Sequence, residues 1–127
     1  MILTLSELSD EPLHAQISRQ IRSKILSQDI TGGAALPSIR GLAREQRVSV
    51  ITVQRAYDDL EREGLVRSRR GKGFWVMTLP EERKKKMAVE RFSIALEELV
   101  RHASADGLSA DEMRRVLADL LAKGVTH

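Results

Sequence analysis

The fold is decided between Leu36-Pro37-Ser38-Ile39-Arg40 and Gly71-Lys72-Gly73-Phe74-Trp75-Val76. Over this segment the sequence predicts a short helix, a turn, a second helix and a two-strand hairpin with a basic tip, Arg69-Arg70-Gly71-Lys72-Gly73. This order of elements is that of a winged helix-turn-helix. Such an arrangement offers one helix to a DNA groove and a basic loop to the neighbouring backbone.

Composition and charge narrow the class of protein. The chain has 127 residues, 42% hydrophobic and 31% charged, which is typical of a soluble folded protein. Cysteine is absent, which excludes disulfides and thiolate metal sites. Residues 1–78 carry twelve Lys and Arg against nine Asp and Glu, whereas residues 79–127 carry nine of each. The basic excess favours nucleic acid as a partner of the first part, although an ordinary, modestly basic domain would show the same count.

One helix and a short apolar segment are predicted on the N-terminal side of the central segment. An apolar residue recurs every four positions and predicts one buried helix face: Leu13, Ile17, Ile21 and Ile25. Pro12 suits the first turn of this helix, with Asp10 or Glu11 near its cap. Residues 1–5 are apolar and β-prone, which indicates either an edge strand or an arm.

Serines mark the starts of the two helices of the helix-turn-helix. Ser38 is expected to cap the second helix, residues 46–48 to form the turn, and Ser49 to cap the third helix. The inward stripe of the third helix is predicted to contain Val53, Ala56, Tyr57 and Leu60. Residues 65–69 and 74–77 then predict the hairpin. The predicted fold is α+β, mainly α, with a winged helix-turn-helix domain at 1–78 and a two-helix dimerisation region at 79–127.

The predicted tail has too little length to bury two amphipathic helices alone. Residues 81–103 predict one helix, a Ser109–Glu112 capping box opens another, and Gly124 ends it. Two copies would close a four-helix arrangement, and the alternative is a tail that packs on the winged domain. The run from Lys84 to Lys86 is expected to be a solvated helix face. The expected dimer interface comprises Val89, Phe92, Leu96, Leu99, Val100, Met113, Val116, Leu117, Leu120 and Leu121.

A helical wheel sets the expected base contacts of the third helix. Its outer face carries Ile51, Arg55 and Asp58, flanked by Thr52 and Gln54. Arg55 suits guanine, Gln54 suits adenine, and Ile51 or the Thr52 methyl suits the thymine methyl. The full set of expected DNA-binding residues is Ser38, Arg40, Ser49, Ile51, Thr52, Gln54, Arg55, Arg69, Arg70, Gly71, Lys72 and Gly73.

Arg40 and the hairpin tip are expected to bind phosphates. A cation at a helix start is unfavourable with the helix dipole, so Arg40 is expected to bind an external anion. The alternative is an internal ion pair of Arg40 with Glu7, Asp10 or Glu11. In the tip, glycines permit close backbone approach and the basic side chains suit phosphates or a narrow minor groove. A merely solvated basic turn is the competing interpretation.

Many fixed spacings resemble those of the GntR family of bacterial transcription regulators, over residues 10–78. The matching residues are Pro12-Leu13, Gln16-Ile17, Leu36-Pro37-Ser38, Arg40, Leu42-Ala43, Val48-Ser49, Thr52-Val53, Ala56-Tyr57, Leu60-Glu61, Glu63-Gly64-Leu65-Val66 and Gly71-Lys72-Gly73-Phe74. The short tail is similar to that of the YtrA-like subfamily. The resemblance implies a dimeric repressor of its own operon and of neighbouring transporter genes. A two-fold dimer would place two recognition helices on a palindromic operator.

The resemblance also places the family's DNA contacts on Arg40, on residues 49–55, and on Arg70 and Gly71. The chain departs from the family pattern at His14, Gly41, Val50 and Ile51, and the two apolar residues at the start of the third helix, Val50 and Ile51, bear on the operator sequence.

Other classes of function have less support. His14, His102 and His127 are scattered, and no phosphate loop, acid pair or nucleophile–base set is present, so we expect no enzyme, cofactor or metal. A winged helix that binds protein or RNA is the alternative, which the set Arg40, Arg55 and Arg70 disfavours. No apolar run suggests a membrane partner, so we expect a cytoplasmic, nucleoid-associated protein whose effector is unknown. The capped last helix leads us to expect a chain that is not truncated before a fused aminotransferase-like domain.

Overall fold

A computed structural model describes residues 1–124, so His127 lies outside the described residues. The chain forms two compact units, Met1–Lys85 and a second that begins at Lys86. The elements confirm the predicted fold class, mainly helical with a two-stranded wing. They are α1 (Leu13–Leu26), α2 (Ile39–Gln46), α3 (Val50–Arg62), β1 (Val66–Arg69), β2 (Gly73–Val76), α4 (Glu81–Ala105) and α5 (Ala110–Ala122).

The core of the first unit forms where α1 packs on α3. Ile17, Ile21 and Ile25 are fully buried, and Leu13 at the start of the predicted stripe is half-buried. All four residues of the predicted inward stripe of α3 are fully buried as well. The Arg22 guanidinium, itself buried, donates from Nε to the carboxylate of Glu63 at 2.7 Å and so joins α1 to the end of α3. Periodicity in the sequence therefore located this core correctly.

Residues 1–5 form an arm along α1 and no strand. The amide of Gln20 accepts from the backbone N–H of Thr4 at 2.8 Å and donates to its carbonyl at 2.7 Å. Gln16 makes the same pair of bonds to Ser6, each at 2.8 Å. Two side-chain amides one helical turn apart thus replace the neighbouring strand that an extended segment would need, which settles the choice between strand and arm.

The start of α1 differs from the expected cap. Pro12 occupies the N-cap position, where no side chain makes a cap hydrogen bond. Glu11 instead bonds Arg19 of the second turn of α1, at 2.9 Å. Glu11 lies next to the N-cap residue, as expected, but its side chain binds Arg19 and does not cap the helix.

The predicted caps of α2, α3 and α5 are present. The Ser38 hydroxyl accepts from the backbone N–H of Gly41 at 3.0 Å. A Cβ on Gly41 would lie 2.8 Å from that same oxygen, so a glycine there leaves room for the cap. At the opening of α5, Ser109 and Glu112 form a reciprocal capping box.

The wing is attached to the segment that precedes α2. β1 and β2 are antiparallel with Arg67 opposite Trp75, and Ala35 forms a bridge to Trp75 on the outer edge of β2. The backbone N–H of Leu36 donates to the carbonyl of Phe74 at 2.9 Å. This third short segment was not predicted, because residues 34–36 show no strand alternation of their own.

The tail helices have no buried interior. Between residues 86 and 124 no side chain is buried, and the apolar residues are half-buried or exposed. Phe92 is 58% exposed and Leu121 is 71% exposed. Lys85 and Lys86 are exposed as expected. Lys84 is buried, with only 7% of its surface exposed, which corrects its assignment to a solvated face. None of the helices within residues 1–124 combines the length and apolarity needed to cross a membrane.

Candidate nucleic-acid interface

The start of α3 combines a closed cap with exposed apolar and basic side chains. The Ser49 hydroxyl accepts from the Thr52 backbone N–H at 3.0 Å and lies 2.7 Å from the Thr52 hydroxyl. Arg55 is exposed and Ile51 is 71% exposed, while Thr52 and Gln54 are half-buried at the flanks. An isoleucine exposed to this degree beside an arginine suits the edges of bases better than bulk water. Ser49 and Thr52 are engaged with each other and shape the helix start.

The start of α2 offers a cation without an internal partner. Arg40 lies in the first turn, next to the Ser38 cap, and is exposed. Among residues 1–124 it has no ion pair, and Glu11, one of its three candidate partners, is bonded to Arg19. The internal-pair alternative for Arg40 is therefore absent from the described part of the chain.

Two further arginines belong with Arg40 and Arg55, although the sequence did not single them out. Arg44 in the last turn of α2 and Arg47 after it are exposed, and neither forms an ion pair within the described residues. Arg47 adopts a left-handed backbone with φ of 56°, a conformation that glycine ordinarily supplies. Basic residues at a helix end also suit the helix dipole. For that reason Arg44 and Arg47 did not by themselves indicate DNA binding in the sequence.

The wing tip is a tight turn that carries two cations without a partner among the residues that the structure describes. The N–H of Lys72 donates to the Arg69 carbonyl at 2.8 Å, and Gly71 and Gly73 have φ of 73° and 84°. Arg70 and Lys72 are exposed. The Arg69 guanidinium instead lies 4.8 Å from the centroid of the Trp75 ring, a cation–π contact. Arg70 and Lys72 are thus available to an external anion, while Arg69 is held on the hairpin.

A carboxylate ties the wing to α3. Glu61 accepts hydrogen bonds from the N–H of Ser68 on β1 at 2.7 Å and from its hydroxyl at 2.8 Å. These bonds, with the nearby charge of Arg67, lower the pKa of Glu61. The orientation of the wing relative to α3 is therefore fixed by contacts inside the protein.

The remaining acids of α3 also have partners in the protein. Asp59 accepts from Arg62 at 2.9 Å and lies 3.7 Å from His14, while Glu63 binds Arg22. Asp58 accepts from the Gln54 amide at 2.8 Å. Asp59 and Glu63 are therefore paired with cations of the protein, whereas Asp58 is bonded to a neutral amide and, within the described residues, keeps an uncompensated negative charge.

The described residues form no comparable arrangement that would suit another kind of chemistry. Within residues 1–124 no group of three or more histidine, aspartate or glutamate side chains could hold a metal ion. The side chains that the structure does bring to the helix starts and the wing tip are cations and hydrogen-bonding groups. Together they define a DNA-binding protein of the winged helix-turn-helix class.

Residues 13–76 match the family described as bacterial regulatory proteins, gntR family, and the chain belongs to it. The chain is 34% identical over 108 residues to the HTH-type transcriptional regulator YhcF of Bacillus subtilis (strain 168), covering 83% of this chain and 86% of that protein. It is 28% identical over 122 residues to the HTH-type transcriptional repressor YtrA of the same strain, covering 87% and 94%. The family and these relatives are transcription regulators, and the resemblance to YtrA-like members is confirmed.

Solved structures agree on the fold. A GntR family transcriptional regulator from Listeria monocytogenes matches with a TM-score of 0.76 at 23% identity, covering 91% of this chain and 98% of that one. The DNA-binding domain of AraR in complex with operator ORX1 matches with a TM-score of 0.52 at 32% identity, covering 58% and 92%. The protein is therefore a GntR-family transcriptional regulator with a DNA-binding winged helix-turn-helix.

Proposed function

We propose that this regulator is a homodimeric repressor that reads a palindromic operator in the promoter of its own operon, with neighbouring transporter genes as further targets. The observation that carries the proposal is the set of exposed arginines on α2, the turn after it and α3, which form no ion pair within residues 1–124, beside the exposed Ile51. A protein- or RNA-binding wing would not need cations at these helix starts. The protein would act in the cytoplasm, at the nucleoid.

Each part of the surface has a distinct expected role on DNA. The start of α3 enters the major groove, where Arg55 reads guanine and Ile51 contacts a thymine methyl. Arg40 and the free N–H groups at the start of α2 bind a phosphate. Arg70 and Lys72 of the wing follow the adjacent backbone or minor groove, and Gly71 and Gly73 allow the close approach. Ser38, Ser49 and Thr52 hold the helix starts in place.

The tail supports a second copy of the chain as its partner. Residues 86–124 leave their apolar side chains half-buried or exposed, and such a surface marks an interface. Two copies of α4 and α5 would bury them in a four-helix arrangement. A two-fold dimer then presents two copies of α3, which is why the operator should be a palindrome. The proposed interface comprises Val89, Phe92, Leu96, Leu99, Val100, Met113, Val116, Leu117, Leu120 and Leu121.

The proposal is tested with the DNA upstream of the protein's own gene. We expect a gel shift that survives excess random DNA, and a selection from random duplexes that returns one sequence repeated as a palindrome. A transcriptional fusion to the same promoter should become more active when the regulator gene is deleted. Binding abolished by random competitor, together with no enriched sequence, would contradict operator reading and favour a protein or RNA partner.

A further inference from the structure

Gln54 and Asp58 lie one turn apart on α3 and are joined by a hydrogen bond. The Gln54 Nε2 donates to Asp58 Oδ1 at 2.8 Å, and both residues are half-buried. On the helix Asp58 lies on the outer face with Ile51 and Arg55, and Gln54 flanks that face. The pair therefore lies on and beside the surface proposed to enter the major groove.

Asp58 differs from the other acids of α3 in what it engages. Asp59 and Glu63 bind cations, and Glu61 binds the wing. The hydrogen-bond partner of Asp58 is instead the neutral amide of Gln54. Aspartate disfavours a helix interior and its charge opposes a nearby phosphate, so it contributes neither helix propensity nor general DNA affinity. What it does supply is the orientation of the amide.

A carboxylate fixes which end of the amide turns toward it. An ionised aspartate accepts hydrogen bonds and cannot donate them, so it binds the NH₂ end of Gln54. The Gln54 Oε1 then lies on the other side of the amide, and it has no hydrogen-bond partner among residues 1–124. A glutamine without such a neighbour could rotate its amide and offer either the NH₂ group or the oxygen.

We propose that Asp58 is a positioning residue that fixes Gln54 with its amide oxygen toward the base edge, so that the base which Gln54 reads on one strand must present an amino group in the major groove. This rests on the proposed function. Adenine and cytosine present amino groups there, whereas guanine and thymine present carbonyl oxygens. Two oxygens would face each other at a guanine or thymine. The pair thus selects adenine or cytosine at that position.

The test compares base preference in matched variants. The wild-type operator is first selected from random duplexes, and Gln54→Ala identifies the position whose preference depends on Gln54. All four bases are then measured there for wild type, Asp58→Asn, Asp58→Ala and the control Asp59→Asn, which removes the same charge at the neighbouring position. Circular dichroism checks that each variant is folded.

We expect wild type and Asp59→Asn to prefer adenine or cytosine by about tenfold, the size of one good base contact. Asp58→Asn and Asp58→Ala should reduce this preference to about twofold or less, since a freed amide can also donate to a carbonyl oxygen. Preferences at the position read by Arg55 should not change. Loss of either charge should raise affinity for all sequences alike.

Several outcomes would overturn the assignment. A wild-type preference for guanine or thymine at the Gln54 position, or an unchanged preference in both Asp58 variants, would show that Asp58 does not set the amide. So would the absence of any position that depends on Gln54 in a protein that selects bases elsewhere. A wild type with no base preference at any position would instead contradict the proposed function itself.

Discussion

The hydroxyl of Tyr57 in the middle of α3 donates a 2.8 Å hydrogen bond to the carbonyl oxygen of Pro37, just before α2. The ring of Tyr57 meets that of Phe74 on β2 edge-on, with centroids 5.1 Å apart. Burial raises the pKa of Tyr57, so the side chain remains a neutral donor. One residue thus connects the proposed base-reading helix, the proposed phosphate-binding helix start and the wing.

Tyr57→Phe tests this connection while keeping the ring. It leaves the Pro37 carbonyl without its partner, and we expect the free energy of unfolding to fall by about 1–2 kcal/mol in urea titrations. Operator affinity should fall more than affinity for random DNA, because α2 and α3 lose their fixed spacing. Unchanged stability and unchanged operator affinity would show that the bond has no such role.

Glu61→Gln tests the attachment of the wing through its pH dependence. The pKa of Glu61 is lowered from 4.5 in the folded protein, so its ionised bonds to Ser68 stabilise the fold above that pH. This contribution is lost as the pH falls below about 4.5 through the folded pKa. The wild type should have a higher Tm than Glu61→Gln at pH 7, and the difference should shrink toward pH 3.5. A difference that stays constant would contradict the assignment.

Arg47 supports a comparison between two substitutions. Arg47→Gly relieves the left-handed backbone and should raise the free energy of unfolding by up to about 1 kcal/mol, whereas Arg47→Ala keeps the strain. If Arg47 binds a phosphate, both variants should lose the same operator affinity and about one unit of the salt slope. An unchanged salt slope in both would remove Arg47 from the DNA surface.

Phe92→Glu tests the proposed dimer against a matched change one residue away. Phe92 is 58% exposed in the single chain and lies on the apolar stripe of α4, while its neighbour Ser93 is exposed and polar. We expect sedimentation at twice the 14.2 kDa chain mass for wild type and Ser93→Glu, and at the single-chain mass for Phe92→Glu. A wild-type monomer, or a Phe92→Glu dimer, would contradict this interface.

The order and caps of the elements followed from the sequence because they depend on local signals. Apolar spacing located α1 and α3, and serines located the starts of α2, α3 and α5. The outer face of α3 followed from the same periodicity, which places Ile51 and Arg55 together. The exposed surface at these helix starts was therefore predictable from the sequence alone.

The features that the sequence missed depend on contacts between distant or oriented groups. Residues 34–36 join β2 only because the chain returns beside it, and Lys84 is buried although its neighbours are charged. The backbone of Arg47 adopts a left-handed conformation that the sequence does not predict for an arginine. The bond between Gln54 and Asp58 has the spacing of one helical turn, which the sequence analysis did not use, and the structure shows its direction.

The most direct measurement is the salt dependence of binding to the selected operator and to a scrambled duplex, for wild type, Arg40→Ala and Arg55→Ala. Arg40→Ala should weaken both duplexes about equally and reduce the salt slope by about one, whereas Arg55→Ala should weaken the operator by about tenfold or more and the scrambled duplex far less. This split would establish phosphate binding at the start of α2 and base reading on α3. Operator affinity that neither substitution changes would contradict the account.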